Sequence, residues 1–321
     1  MAEFELIKEG AFDRDDALKR RNERVASFAR PYREFAKNYQ ATGPLLAAVN
    51  VALSLGRPLL LTGEPGSGKT LAAWWIADRL QLTDHVHEFN VKSDSRARDI
   101  CYEFDAVSWY RKSQLAKDLN GAEVPKDEFL RPGPLGKAFG WRGAPPKLPS
   151  VVLIDEIDKA PRDFPNDLLL ELDQMRFTIQ EIDKPIICPA DVRPIIVITS
   201  NAERRLPDPF LRRCVIHRIE LDISVSKRIL TARLKEFDVP NAELIEAAAT
   251  FWVDLGLKPL ARKPTIDEFW RWLALATRHG GKPAAAIVAA LKIPSEATRE
   301  LPFIDTLFSS PADLKAATGG A

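Results

Sequence analysis

Leu59-Leu60-Leu61-Thr62-Gly63-Glu64-Pro65-Gly66-Ser67-Gly68-Lys69-Thr70 contains a short apolar strand, a glycine-rich turn spaced Gly-x4-Gly-Lys-Thr, and the approach to an apolar helix that opens near Leu71. That order of strand, turn and helix is what the spacing needs if it is to hold phosphate. Glycines let successive backbone N–H groups turn towards one anion, and the helix that follows adds the positive end of its dipole. Lys69 supplies a mobile cationic head, and the Thr70 hydroxyl suits Mg2+.

The remainder of the chain has to build a sheet around that strand. At 321 residues, with 45% hydrophobic and 28% charged residues, it has the composition of a globular protein of about two domains. The 46 Lys+Arg nearly balance the 45 Asp+Glu, so nothing in the overall balance indicates a nucleic-acid or membrane-surface binder, and the charge is silent on partners. Cys101, Cys188 and Cys214 are too far apart for a disulfide framework or a C-x-x-C metal pair, so a reducing compartment is expected. With no apolar leader after Met1 and no run long enough to span a bilayer, the expected location is the cytoplasm.

Residues 1 to 40 are densely charged and read as an arm or surface helix that orders on the body or on a partner. Pro44 to Leu53 reads as a buried helix stopped by Gly56, and Pro58 opens the strand into the glycine loop. Val86 to Val91 is a second strand; His85 and His87 share its face, with no third ligand nearby, and read as surface residues. Lys92 to Gly121 is a charged, partly helical segment, and Arg131-Pro132-Gly133-Pro134 a sharp turn. Val151-Val152-Leu153-Ile154 is a buried strand that delivers Asp155 and Glu156 at its carboxyl end, where open parallel sheets bind ligands. Asn166 is expected to cap an apolar helix over 167–172, and Phe177 to Ile187 to form a hairpin. Ile195 to Thr199 is another buried strand, ending at Ser200-Asn201, and Val215 to Leu221 a fifth. Strand signals stop after Asp222, and three helices follow; the third has Thr265 and Glu268 at capping-box spacing and stops at Gly280-Gly281. The stretch after Pro302 reads as a weakly ordered tail or a segment that docks on a neighbour.

Phosphoryl transfer needs a phosphate cradle, a Mg2+ ligand, a group that orients the attacking water, and positive charge near the leaving phosphates. Asp155 ends its strand beside Thr70 and is placed to hold the metal. Strand alternation would point Glu156 elsewhere, towards water, and leaves Asp158 as a helix cap. Asn201 can polarise the same water. Arg212-Arg213 stands at a helix end suited to a neighbouring subunit's nucleotide, and Arg262-Lys263, just before the capped helix, can turn charge towards phosphates from the smaller domain.

Taken together, Gly63 to Thr70, Val151 to Lys159, Ile198-Thr199-Ser200-Asn201 and Leu206 to Cys214 resemble the MoxR-type AAA+ ATPases of the dynein-related subgroup, over roughly residues 40 to 280. Tyr102 to Asp105, Phe129 to Leu135, Phe164 to Asp173 and Arg262 to Thr265 add to the resemblance. It implies an α/β AAA+ P-loop NTPase core with a five-stranded parallel sheet over residues 41–222, followed by a small all-α lid at 223–301 and a tail at 302–321. By the same resemblance, Gly63, Glu64, Pro65, Gly66, Ser67, Gly68, Lys69 and Thr70 form the Walker A loop, with Leu71 counted among the nucleotide-binding residues. Asp155 and Glu156 form the Walker B pair, Thr70 and Asp155 being the metal residues, and Asn201 is sensor 1. Arg213 or Arg212 is the arginine finger and Lys263 or Arg262 sensor 2. An insert at about 92–121 and a hairpin at about 177–187 would face the channel or substrate.

The implied activity is Mg2+-dependent ATP hydrolysis by a homo-oligomeric ring, usually hexameric, that remodels or assembles a protein client such as a von Willebrand factor A domain protein. Two alternatives remain open on sequence alone: an ATP-gated assembly scaffold with little turnover, and a nucleic-acid-associated AAA+ motor, against which the charge balance counts.

Overall fold

The computed structural model describes residues 13–28, 31–118, 123–235, 241–293 and 301–318. Residues 1–12 and 29–30 of the expected arm, 119–121 of the expected insert, 236–240 and 294–300 of the expected lid and 319–321 of the expected tail lie outside the described residues. By contacts the chain divides into two compact units: Ala41–Glu64 with Gly68–Ile219, and Met1–Gln40, Pro65–Ser67 and Glu220–Ala321.

In chain order the strands are β1 (Leu59–Thr62), β2 (Val86–Asn90), β3 (Tyr102–Phe104), β4 (Leu130–Pro132), β5 (Val151–Asp155), β6 (Arg176–Ile179), β7 (Lys184–Ile187), β8 (Ile195–Ser200) and β9 (Val215–Arg218). Five of them form one sheet in the order β2-β5-β8-β1-β9, every pair parallel. Leu59 to Leu61, Val151 to Ile154 and Ile196 to Ile198 are buried as continuous apolar runs, the pattern of parallel strands covered on both faces. After β1 the chain runs to the β2 edge, returns through β5 and β8, and adds β9 on the other side of β1. The carboxyl end of β1 therefore lies where the strand order reverses, the usual ligand crevice of such sheets.

The helix before β1 spans Gly43–Leu55, with the Thr42 hydroxyl accepting from Leu45 N–H and Gly56 closing it in the left-handed region. It is half-buried, not buried: Leu45, Val49 and Ala52 face the core while Leu46, Val51 and Leu55 are exposed. A run without charges does not reveal which face is covered.

Two small antiparallel hairpins stand outside the main sheet. β6 pairs with β7 where a hairpin is expected. The β3–β4 pair is a correction: Leu130–Pro132 is a strand, and the turn residues Gly133 and Pro134 cap and start the helix Pro134–Ala138. Pairing between segments some thirty residues apart leaves no local periodicity to read. Gly133 is needed for close approach, since a Cβ there would lie 2.4 Å from the carbonyl oxygen of Asp99. The hairpins are tied together, as Tyr102 stacks on Phe177 and its hydroxyl accepts from Gln180 N–H at 3.1 Å. Asn166 is a second correction. It lies inside the short helix Phe164–Asp167, and the helix Leu169–Gln174 begins without a side-chain cap.

The second unit is helical. Leu230, Phe251, Phe269, Trp270, Trp272, Leu273 and Ile287 form its core. The helix Ile266–His279 starts with a complete capping box between Thr265 and Glu268. The described part of the N-terminal segment forms helices Arg14–Phe28 and Tyr32–Ala36. It packs on this unit through Phe28 stacked on Trp270 and Arg233 over Phe35. Of the two alternatives for the stretch after Pro302, the described residues favour docking: Ile304, Leu307, Phe308 and Ala317, with Leu301 just before it, are buried in the helical core, and Trp272 Nε1 donates to Pro302 O at 3.0 Å. Its apolar positions are too few to register as a helix period, yet they complete a core built by others.

Candidate active site

The phosphate loop leaves β1 through Gly63, and Gly66 and Gly68 adopt φ of 76° and 89°, a region that favours glycine. Gly68 is the N-cap of the helix Lys69–Arg79. Lys69 is 6% exposed and folds back so that Nζ donates to the carbonyls of Gly63 and Glu64, each at 2.9 Å. Burial pulls its pKa below the usual lysine value, against the opposing attraction of Asp155, Asp158, Glu156 and Glu64. Ser67 Oγ is buried without a hydrogen-bond partner among the described residues. A buried cationic head whose hydrogen-bond acceptors among the described residues are loop carbonyls is a group that suits an anion.

Beside it, Thr70 Oγ1 donates to Asp155 at 3.0 Å (Oδ1) and 3.2 Å (Oδ2). Thr199, opposite on β8, donates to Asp155 Oδ1 at 2.6 Å and accepts from Glu156 N–H at 2.8 Å. One carboxylate and one hydroxyl in mutual contact suit Mg2+, which keeps waters and takes substrate phosphates as further ligands. Among the described residues no group of three or more His, Cys, Asp or Glu side chains could hold a metal ion, so the fit rests on this pair.

Glu156 does not continue the strand alternation. It follows the end of β5 in the left-handed conformation (φ 60°, ψ 52°), which costs an ordinary residue about 1–3 kcal/mol. The turn brings Oε1 within 3.2 Å of Asn201 Nδ2, which donates to it, and Oε2 to 2.5 Å from Lys159 Nζ. The contact with Glu156 raises the Lys159 pKa. Strand geometry alone could not anticipate this, because the strand stops one residue earlier.

Asp158 is not a helix cap. Its carboxylate is 4% exposed and accepts from the backbone N–H of Asn201 (3.2 and 3.1 Å) and of Glu203 (3.0 Å), fixing the turn after β8 in which Ala202 has φ 60°. Neither Thr199 nor Asp158 stands out as functional in the sequence, since both roles depend on two strand ends meeting.

The structure thus brings Lys69, Thr70, Asp155, Glu156 and Asn201 together at one sheet edge. Arg212 and Arg213 follow the short helix Asp208–Leu211, where Arg213 pairs with Asp173 at 2.5 Å and donates to Pro209 O at 3.0 Å. Arg262 and Lys263 belong to the helical unit, where Arg262 pairs with Glu268 and Lys263 donates to Gly256 O.

A five-stranded parallel sheet with a phosphate loop after β1, paired acidic residues at the carboxyl end of β5 and a polar residue after β8 defines an AAA+ P-loop nucleotide-binding core, here with a helical C-terminal region. Residues 58–214 match the family model described as the AAA domain (dynein-related subfamily), so this span carries an AAA+ domain, a class whose members are in general ATPases. Domain III of the replication initiation protein DnaA from Thermotoga maritima is a similar solved structure, at 13% identity and a TM-score of 0.44, covering 86% of this chain and 97% of that one. No curated protein sequence matches the chain. Among the described residues no helix is long and apolar enough to cross a membrane.

Proposed function

We propose that this protein is a MoxR-like AAA+ ATPase that hydrolyses ATP with Mg2+ as a homo-oligomeric, hexameric ring and remodels or assembles a protein client. A von Willebrand factor A domain protein is the candidate client class, and the cytoplasm the site of action. The observation that supports this best is the hydrogen-bonded chain Thr70–Asp155–Thr199–Glu156–Asn201, which joins the phosphate loop to the acidic pair and to the polar residue on the next strand.

In this reading Lys69 exchanges the Gly63 and Glu64 carbonyls for nucleotide phosphates, a gain for a buried cation held only by neutral acceptors. Thr70 and Asp155 would hold Mg2+, which neutralises charge developing on the phosphates. Glu156, held by Asn201, accepts a proton from the attacking water. Arg213 or Arg212 reaches the nucleotide of the adjacent subunit; in its own subunit Arg213 makes an exposed ion pair, which is cheap to exchange.

Glu156→Gln should keep ATP affinity while turnover falls by about 10²–10⁴-fold, the usual worth of a positioned base. Parental turnover in that variant would remove Glu156 from the role. Mixing Arg213→Ala with Lys69→Ala subunits should restore part of the turnover by forming interfaces with intact halves; rings that form without rescue would count against a finger supplied in trans. Co-purification with the Glu156→Gln form identifies the client.

A further inference from the structure

The ladder between β5 and β8 ends at the pair Ile154 and Ile198, one residue short of the acidic pair. Beyond that point the tie between the two strands is carried by the side chain of Thr199, which is completely buried. A hydroxyl has one proton to give and lone pairs to accept with, and Thr199 uses both: the proton goes to Asp155 Oδ1 at 2.6 Å, and a lone pair receives Glu156 N–H at 2.8 Å. One group thereby orients the carboxylate that faces Thr70 and pins the backbone of the residue whose left-handed turn aims Oε1 at Asn201. Asn201 is two residues further on the same strand end, so both strand-end contacts of Glu156 come from one segment.

We propose that Thr199 is a positioning residue for hydrolysis: it fixes Glu156 in the left-handed conformation and the Asp155 carboxylate towards Thr70, without itself touching substrate. The inference rests on the reading of the site as an ATPase centre. Valine at 199 keeps the shape and removes both hydrogen bonds. Serine keeps both bonds and removes only a methyl group.

The test measures steady-state turnover of Mg-ATP and, separately, the affinity for ATP by equilibrium titration of the full chain. Thr199→Val should lower kcat by about 10–100-fold, the usual cost of losing a group that orients a metal-site ligand, with ATP affinity retained. Thr199→Ser should turn over at the parental rate. A Thr199→Val protein with parental kcat overturns the proposal. So does a Thr199→Ser protein as slow as the valine variant, since the loss would then be one of packing. A loss of ATP affinity matching the loss of turnover assigns Thr199 to nucleotide holding and likewise overturns it. If circular dichroism shows that the valine variant does not fold, Thr199→Cys replaces it, its weak S–H donor and acceptor predicting slower turnover than serine; equal rates overturn the proposal. A parent protein that binds ATP without hydrolysing it refutes the ATPase reading itself, a result distinct from parental kcat in the variants.

Discussion

Replacing Asp158 by alanine removes the acceptor shared by two backbone donors, Asn201 N–H and Glu203 N–H, at a carboxylate that is 4% exposed. Hydrogen bonds to a charged acceptor contribute about 1.5–3 kcal/mol each, so two of them are worth about 3–6 kcal/mol gross. Removing a buried charge returns part of this, because the carboxylate no longer has to be desolvated. The alanine variant should therefore lose about 2–4 kcal/mol, a sizeable share of the 5–15 kcal/mol that holds a typical domain together. Because the urea dependence is about 1–3 kcal/mol per molar, the unfolding midpoint should fall by about 1 M or more. Asp158→Asn, which keeps one acceptor oxygen, should lose about half as much. Loss of the anchor also frees the turn at Ala202, so amide hydrogen exchange at Asn201 and Glu203 should accelerate while that of the β1 and β5 ladders holds. Urea unfolding and residue-resolved exchange read these outcomes. An alanine variant with the parental midpoint and unchanged exchange at Asn201 and Glu203 would refute the assignment of Asp158 as the anchor of this turn.

Two further outcomes follow from other parts of the fold. Gly133→Ala places a methyl group 2.4 Å from Asp99 O and 2.5 Å from Ile100 O, both backbone atoms, and should destabilise the nucleotide-binding unit by about 1–3 kcal/mol in urea unfolding. Asp313 accepts Ala261 N–H at 2.7 Å and the Ser309 hydroxyl at 3.0 Å, and the Ala261 contact leads the effects that hold its pKa below the usual carboxylate value. A carboxyl group depressed in the folded state adds stability above its unfolded pKa, near 3.9, and loses it as the pH falls through the lower folded value. Asp313→Asn should thus flatten the acid limb of a stability-against-pH curve, and an unchanged slope would exclude the contribution.

The elements most legible in the sequence are those whose signal is local. The phosphate loop is a contiguous spacing that needs glycine where φ is positive, and β5 and β8 are apolar runs that only a sheet covered on both faces explains. The Thr265 capping box is likewise set by residues three apart. Legibility fails where partners are distant in the chain. The β3–β4 hairpin joins segments separated by a helix, and the C-terminal segment completes a core made by other helices. Asp158 looks like any acidic residue after a strand until β8 places two N–H groups against it.

By itself the sequence determined a phosphate-loop spacing on the turn after β1 and an acidic pair at the carboxyl end of β5, because backbone conformation and strand burial are written in neighbouring residues. Only the tertiary structure decided how that pair is aimed. Asp155 meets Thr70 and Thr199, and Glu156 leaves the strand direction to meet Asn201. These contacts join residues 43 to 85 positions apart, and the strand order that closes such distances comes from packing the whole sheet, not from any one segment.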